Sequence, residues 1–133
     1  MKALIVDDSR AMRLVVARIV QRLGFETVQA EHGQAALDVL AGSDELPDVA
    51  LVDWNMPVMD GLELIKAVRA QPRYRGITLM MVTTESEQSR IVQALAAGAH
   101  EYLIKPFTEE ALEDKLSLLG LVPATADAEA VAW

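Results

Sequence analysis

The chain has 133 residues, 52% of them hydrophobic and 24% charged, and 12 Lys and Arg against 20 Asp and Glu give a formal charge of -8. This length fits one domain around one core, the hydrophobic share excludes a disordered chain, and the acidic balance excludes broad nucleic-acid binding, which needs a basic surface facing phosphates. With no cysteine there is no disulfide framework or thiolate metal site, and no apolar run is long enough for a signal peptide or a membrane span, so a cytoplasmic protein without membrane partners is expected.

Lys2 to Val6 is a short apolar run that reads as a strand. Met12, Val15, Val16, Ile19, Val20 and Leu23 then recur at helical spacing up to Gly24, which predicts a helix starting near Arg10. Arg10, Arg13, Arg18 and Arg22 fall between these apolar positions and read as its solvated face, with docking of an acidic or phosphorylated partner as the alternative. Phe25 to Ala30 reads as a second strand and Gly33 to Leu40 as its helix, stopped by Gly42-Ser43. Asp48 to Val52 is nearly continuous in apolar residues, the pattern of a strand covered on both faces. Pro57 and Asp60-Gly61 make the next loop a turn, and Leu62, Ile65 and Val68 give the following helix its buried stripe. Ile77 to Val82 and Tyr102 to Ile104 read as the last strands. Their helices are Glu87 to Ala97, with Ile91 and Leu95 inward, and Glu109 to Leu119, with Leu112, Leu116 and Leu119 inward and Thr108 as N-cap. Residues 1–120 form the expected single domain, and the alanine-rich 121–133 are expected to be a flexible tail. His32 and His100 lack the spacing of a metal pair and read as surface or loop residues, and Met80 and Met81 as core packing.

Strands alternating with helices imply βαβ crossovers, a parallel sheet and a ligand site outside the carboxyl ends of the strands. Asp7-Asp8, Asp53, Thr83-Thr84 and Lys105-Pro106 each stand where a predicted strand runs out. Three gathered carboxylates repel one another unless a divalent cation neutralises them, and an all-oxygen donor set favours Mg²⁺. A carboxylate can take a phosphoryl group as a nucleophile, which needs positioning and charge neutralisation above all. Asp53, one residue past an apolar run, is the best candidate acceptor, with Lys105 as the cation and Thr83 as a hydroxyl donor. Taken singly, each group has a local reading: Asp7-Asp8 with Ser9 as helix-start residues, Thr83 as a strand former, Lys105 as a solvated side chain.

The segments Ile5-Val6-Asp7-Asp8-Ser9-Arg10, Val52 through Gly61, Val82-Thr83-Thr84 and Tyr102-Leu103-Ile104-Lys105-Pro106-Phe107 together resemble the receiver domain of the two-component response-regulator family. The likeness runs from about Lys2 to Leu119 and is strongest to the stand-alone chemotaxis regulators of that family. It implies a doubly wound, flavodoxin-like (βα)5 α/β fold with strand order 2-1-3-4-5. It also implies that Asp53 is the phosphoacceptor, that Asp8, Asp53 and the Asn55 carbonyl hold Mg²⁺ with Asp7 acting through water, and that Lys105 pairs with the phosphoryl group next to a cis Lys105-Pro106 bond. Thr83 and Tyr102 match the family's coupled switch pair, and Asn55, Thr84 and Glu85 occupy positions that tune phosphoryl lifetime. Thr84 departs from the usual alanine or glycine, and its larger side chain is expected to slow phosphate exchange. The resemblance further implies a signalling switch that assists its own phosphorylation and dephosphorylation, not an enzyme acting on other substrates. A sensor histidine kinase or phosphotransfer domain would be the donor. A downstream protein target would bind the face around the fourth helix, fifth strand and fifth helix of a monomer or weak dimer. Chemotaxis-type signalling is the expected setting, with a phosphorelay intermediate or phosphate sink as the alternative.

Three rivals fit less well. A flavodoxin-like cofactor protein needs hydroxyl and glycine donors where Asp7-Asp8 stand, and these acids would repel a flavin phosphate. A haloacid-dehalogenase-type phosphatase needs an acid two residues after its nucleophile, where this chain has Asn55. A docking module that is never phosphorylated would not need the full set of acids, threonine and lysine.

Overall fold

The computed structural model describes residues 1–121. Its strands are β1 (Lys2–Val6), β2 (Glu26–Ala30), β3 (Val49–Val52), β4 (Thr78–Thr83) and β5 (Glu101–Ile104). Its helices are α1 (Arg10–Arg22), α2 (Gly33–Ala41), α3 (Gly61–Ala70), α4 (Gln88–Ala97) and α5 (Glu109–Leu118), with a short 3₁₀ turn at Pro72–Tyr74 that periodicity does not reveal. The strands form one parallel sheet in the order β2-β1-β3-β4-β5, so the expected α/β fold and strand order are observed. No helix among the described residues is long and apolar enough to cross a membrane.

Each face of the sheet carries its own core. Leu4, Val6, Ala50, Val52, Leu79 and Met81 pack with Leu40 of α2, Leu64, Ile65 and Val68 of α3 and Ala94 of α4. Ala3, Ile5, Val49, Leu51, Met80 and Val82 point the other way and pack with Val16 and Val20 of α1 and Leu112 and Leu116 of α5. Alternate residues of one strand thus enter opposite cores, which is why β3 is apolar at every position. Leu121, placed in the tail by composition, is buried in the second core, and its N–H donates to the Leu116 carbonyl at 2.9 Å. The rest of the expected tail lies outside the described residues.

Leu95 is the main correction to the predicted core. It is 43% exposed, and Ala94 takes the inward place with Ile91 and Ala97 beside the core. The helix packs on α3 and the edge strand β5, and a small residue lets it approach closely, which turns the neighbouring leucine outward. Val15 of α1 is likewise exposed, and the buried stripe there runs through Val16, Ala17, Ile19 and Val20. Phe25, Asp48, Ile77 and Glu87 lie just outside the elements assigned to them. Phe25, for example, donates its N–H to the Val20 carbonyl of α1 instead of joining the ladder.

Four helices start on a side-chain cap: Ser9 accepts from the Met12 N–H, His32 from Ala35, Asp60 from Glu63 and Thr108 from Ala111. Asp60 and Glu63 form a reciprocal capping box. Helix α4 has no such bond at Glu87.

Candidate functional site at the carboxyl edge of the sheet

Strand register assembles the site. Val6 lies opposite Val52, and Thr83 lies opposite Ile104, so the residues that follow these strand ends emerge side by side. Two backbone bonds extend the ladder there, from the Asp53 N–H to the Val6 carbonyl and from the Lys105 N–H to the Thr83 carbonyl, both at 2.9 Å. Asp7 and Asp53 thereby follow the ends of adjacent central strands, with Lys105 two strands beyond Asp53 and reaching across.

Carboxylate oxygens of Asp7, Asp8 and Asp53 all come within 4.8 Å of one another. Asp7 is buried, Asp53 half-buried and Asp8 exposed, so the cluster opens to solvent on one side only. Lys105 Nζ lies 2.6 Å from Asp7 Oδ2 and 3.7 Å from Asp53 Oδ2. The other oxygen of each carboxylate is also held: Asp7 Oδ1 accepts from the Ser9 N–H at 2.9 Å, and Asp53 Oδ1 from the Trp54 N–H at 2.8 Å. Burial pushes the Asp53 carboxyl above its ordinary range and Asp7 adds to this, while the Thr83 hydroxyl, Lys105 and the Trp54 N–H pull it down. One ammonium facing three carboxylates leaves net negative charge, and the all-oxygen donor set suits a hard divalent cation.

Around this cluster, Thr83 is fully buried and its Oγ1 accepts from the Glu85 N–H at 3.2 Å. The buried Tyr102 ring places its hydroxyl 2.6 Å from the Glu85 carbonyl, to which it donates. Both members of the expected switch pair therefore grip the same residue of the β4–α4 loop. Thr84 and Asn55 are exposed. The Lys105-Pro106 bond is cis.

The β3–α3 loop closes tightly. A Cβ at Gly61 would overlap the Asp53 carbonyl oxygen, so only glycine lets α3 begin against the end of β3. Met59 donates its N–H to the Pro57 carbonyl at 2.7 Å across Val58, whose φ is 67°. This three-residue turn puts a β-branched side chain in the left-handed region, a strain of the kind that accumulates beside functional sites.

Sequence reasoning overlooked three contributors. Arg13, read as part of a solvated face, donates to the Asp7 carbonyl at 2.7 Å and to Gln29 at 3.3 Å. His32, read as a loop residue, caps α2 through Nδ1; its position just before Gly33 was the available signal. Arg90 of α4 stacks over the Trp54 ring, 5.2 Å from its centroid, a contact between distant segments that no local pattern announces.

The family model for the response regulator receiver domain matches residues 3–117. A chemotaxis protein CheY homologue of Campylobacter jejuni is 45% identical over 117 residues, covering 87% of this chain and 89% of that protein. Chemotaxis protein CheY1 of Helicobacter pylori is 43% identical over 120 residues, covering 90% and 96%. The solved structure of Vibrio cholerae CheY4 matches with a TM-score of 0.80 at 39% identity, covering 87% of this chain and 95% of that one. A match of this extent, on a fold whose sheet edge gathers the acids and the lysine, places the chain in the response regulator receiver-domain family.

Proposed function

We propose that the chain is a CheY-like phosphorylation switch in chemotaxis-type signalling, with Asp53 as phosphoacceptor. The observation that carries this reading is Lys105 Nζ standing between Asp7 and Asp53 at 2.6 and 3.7 Å, beside a carboxylate cluster open to solvent. A carboxylate oxygen of Asp53 attacks the phosphorus of a phosphohistidine on a sensor kinase or phosphotransfer domain. The P–N bond breaks, its electron pair stays on the imidazole nitrogen, and the histidine takes up a proton. Attack of water on the acyl phosphate later releases inorganic phosphate and restores the carboxylate.

Asp8, Asp53 and the Asn55 carbonyl would hold Mg²⁺, with Asp7 acting through water; the metal supplies the charge neutralisation that lets an anionic donor approach. Lys105 moves from its carboxylate partners to an oxygen of the bound phosphoryl group, and the Thr83 hydroxyl donates to another. Drawing Thr83 toward the phosphoryl pulls on Glu85, and through it on Tyr102 and the α4-β5-α5 face, shifting an equilibrium that a downstream protein reads. The switch works in the cytoplasm as a monomer or weak dimer, and exposed Thr84 narrows the approach to Asp53 and slows phosphate exchange.

Trp54 adjoins Asp53, so its fluorescence, read in a Trp133→Phe background, reports the site. Mg²⁺ should change the emission, and acetyl phosphate should change it again. In Asp53→Asn the second response should vanish; its persistence, or phosphate labelling at another residue, rejects Asp53 as acceptor.

A further inference from the structure

The indole of Trp54 is held from outside the site. Its backbone N–H orients Asp53 Oδ1 at 2.8 Å and its carbonyl accepts from the Gly61 N–H at 2.8 Å, while the ring is buried with the guanidinium of Arg90 over its face. Arg90 is the third residue of α4, the one α-helix among the described residues that starts without a side-chain cap, and no acid stands in its first turn. A cation there opposes the helix dipole, so the helix itself does not favour this residue, whereas a cation over an indole face is attracted by the ring. The Arg90 charge also reaches the Tyr102 hydroxyl, where it counters burial and Glu85, which raise the tyrosine pKa. Arg90 thus stands at the junction between the segment bearing Asp53 and the Glu85–Tyr102 contact.

We propose that Arg90 is a positioning residue: by clamping the Trp54 indole it holds the Trp54 N–H on the Asp53 carboxylate and ties the start of α4 to the phosphoacceptor. This rests on Asp53 being that acceptor. The carboxylate oxygen that is not bonded to Trp54 is then presented in one orientation for in-line attack, and a free indole would let it wander.

The test compares phosphate uptake from labelled acetyl phosphate in the parent chain and in Arg90→Ala, Arg90→Lys, Trp54→Leu and Arg90→Ala/Trp54→Leu, with Trp54 emission read in a Trp133→Phe background. Arg90 is exposed, so its variants should keep the parent melting temperature. Arg90→Ala is expected to slow uptake about fivefold, the lower end of ordinary coupling between sites, and to shift Trp54 emission in the unphosphorylated chain. Arg90→Lys, which keeps a cation over the ring, should recover part of the rate. In the Trp54→Leu background, Arg90→Ala should change little more. Uptake at the parent rate in Arg90→Ala overturns the proposal, as does an equal loss with and without the indole, which would place the action of Arg90 elsewhere. If Asp53→Asn takes up label like the parent, the phosphoacceptor reading fails and the coupling with it; a Trp54 emission shift in Arg90→Ala would then show that the clamp exists without that role.

Discussion

The two edges of the sheet hold charge in opposite ways. At the carboxyl edge, three carboxylates face one ammonium, and the surplus negative charge opens to solvent. At the amino edge, the guanidinium of Arg69 on α3 donates to the carbonyls of Gly98, Arg75 and Ile77 at 3.0, 3.3 and 2.9 Å and contacts His100 Nδ1 at 3.2 Å. That nitrogen also accepts from the Leu79 N–H at 3.1 Å. A left-handed glycine serves this edge: Gly98 has φ 123°, and a Cβ there would strike the Arg69 side chain. One edge leaves negative charge unmatched by its lysine; the other spends its cation on backbone groups.

Removing the cation from each edge should separate these roles. Lys105→Met leaves the buried Asp7, still bonded to the Ser9 N–H, beside Asp53 without its cation, and breaking a buried pair of this kind costs about 3 kcal/mol. Urea unfolding should show that loss, millimolar Mg²⁺ should restore part of it, and phosphate uptake should fall below detection. Absence of any rescue by the metal would mean that the acids are matched by something other than a cation. Arg69→Met strips the carbonyls of Gly98, Arg75 and Ile77 of their side-chain donor and leaves His100 Nδ1 to the Leu79 N–H, for an expected loss of about 2 kcal/mol. Here Mg²⁺ should bring no more stability than it brings the parent chain, and phosphate uptake should continue.

The smallest effect is the pH dependence that His100 gives the amino edge. Burial and the Arg69 charge lower the His100 pKa from its ordinary 6.5. Nδ1 accepts the Leu79 N–H only when it carries no proton, and the other charged groups nearby, Glu101 and Lys115, are already paired at 2.9 Å. Because the folded pKa lies below the unfolded one, the unfolded chain binds the proton first as pH falls. Stability from this residue is therefore complete above about 6.5, declines below it, and levels off beneath the folded pKa. His100→Asn, whose amide oxygen can accept the same bond, should flatten that part of the melting-temperature profile. An unchanged profile would show that the ring titrates freely.

Much of the carboxyl edge could be read in the chain. Strand and helix types follow from periods of two and of three to four residues, and the acids, threonine and lysine stand one step past apolar runs, a relation between neighbours in sequence. Parallel strands emerging side by side then bring those steps together. Of the amino edge the chain shows only His100, as a surface or loop residue, because Arg69, Gly98 and His100 acquire meaning only from the carbonyls and N–H groups that surround them. Leu95 was misplaced because helical spacing gives a stripe but not its rotation, which the close approach of Ala94 decides.

The sequence by itself thus determined the order of elements, the two-sided burial of the central strands and the membership of the carboxyl-edge cluster. Tertiary structure alone decided that Lys105 sits nearer Asp7 than Asp53, that Arg90 covers Trp54 and that His100 accepts two donors. The division has one physical cause: backbone periodicity and strand-end chemistry act between residues close in the chain, whereas the choice among competing partners is made by distances of a few ångströms that exist only once the sheet and helices have packed.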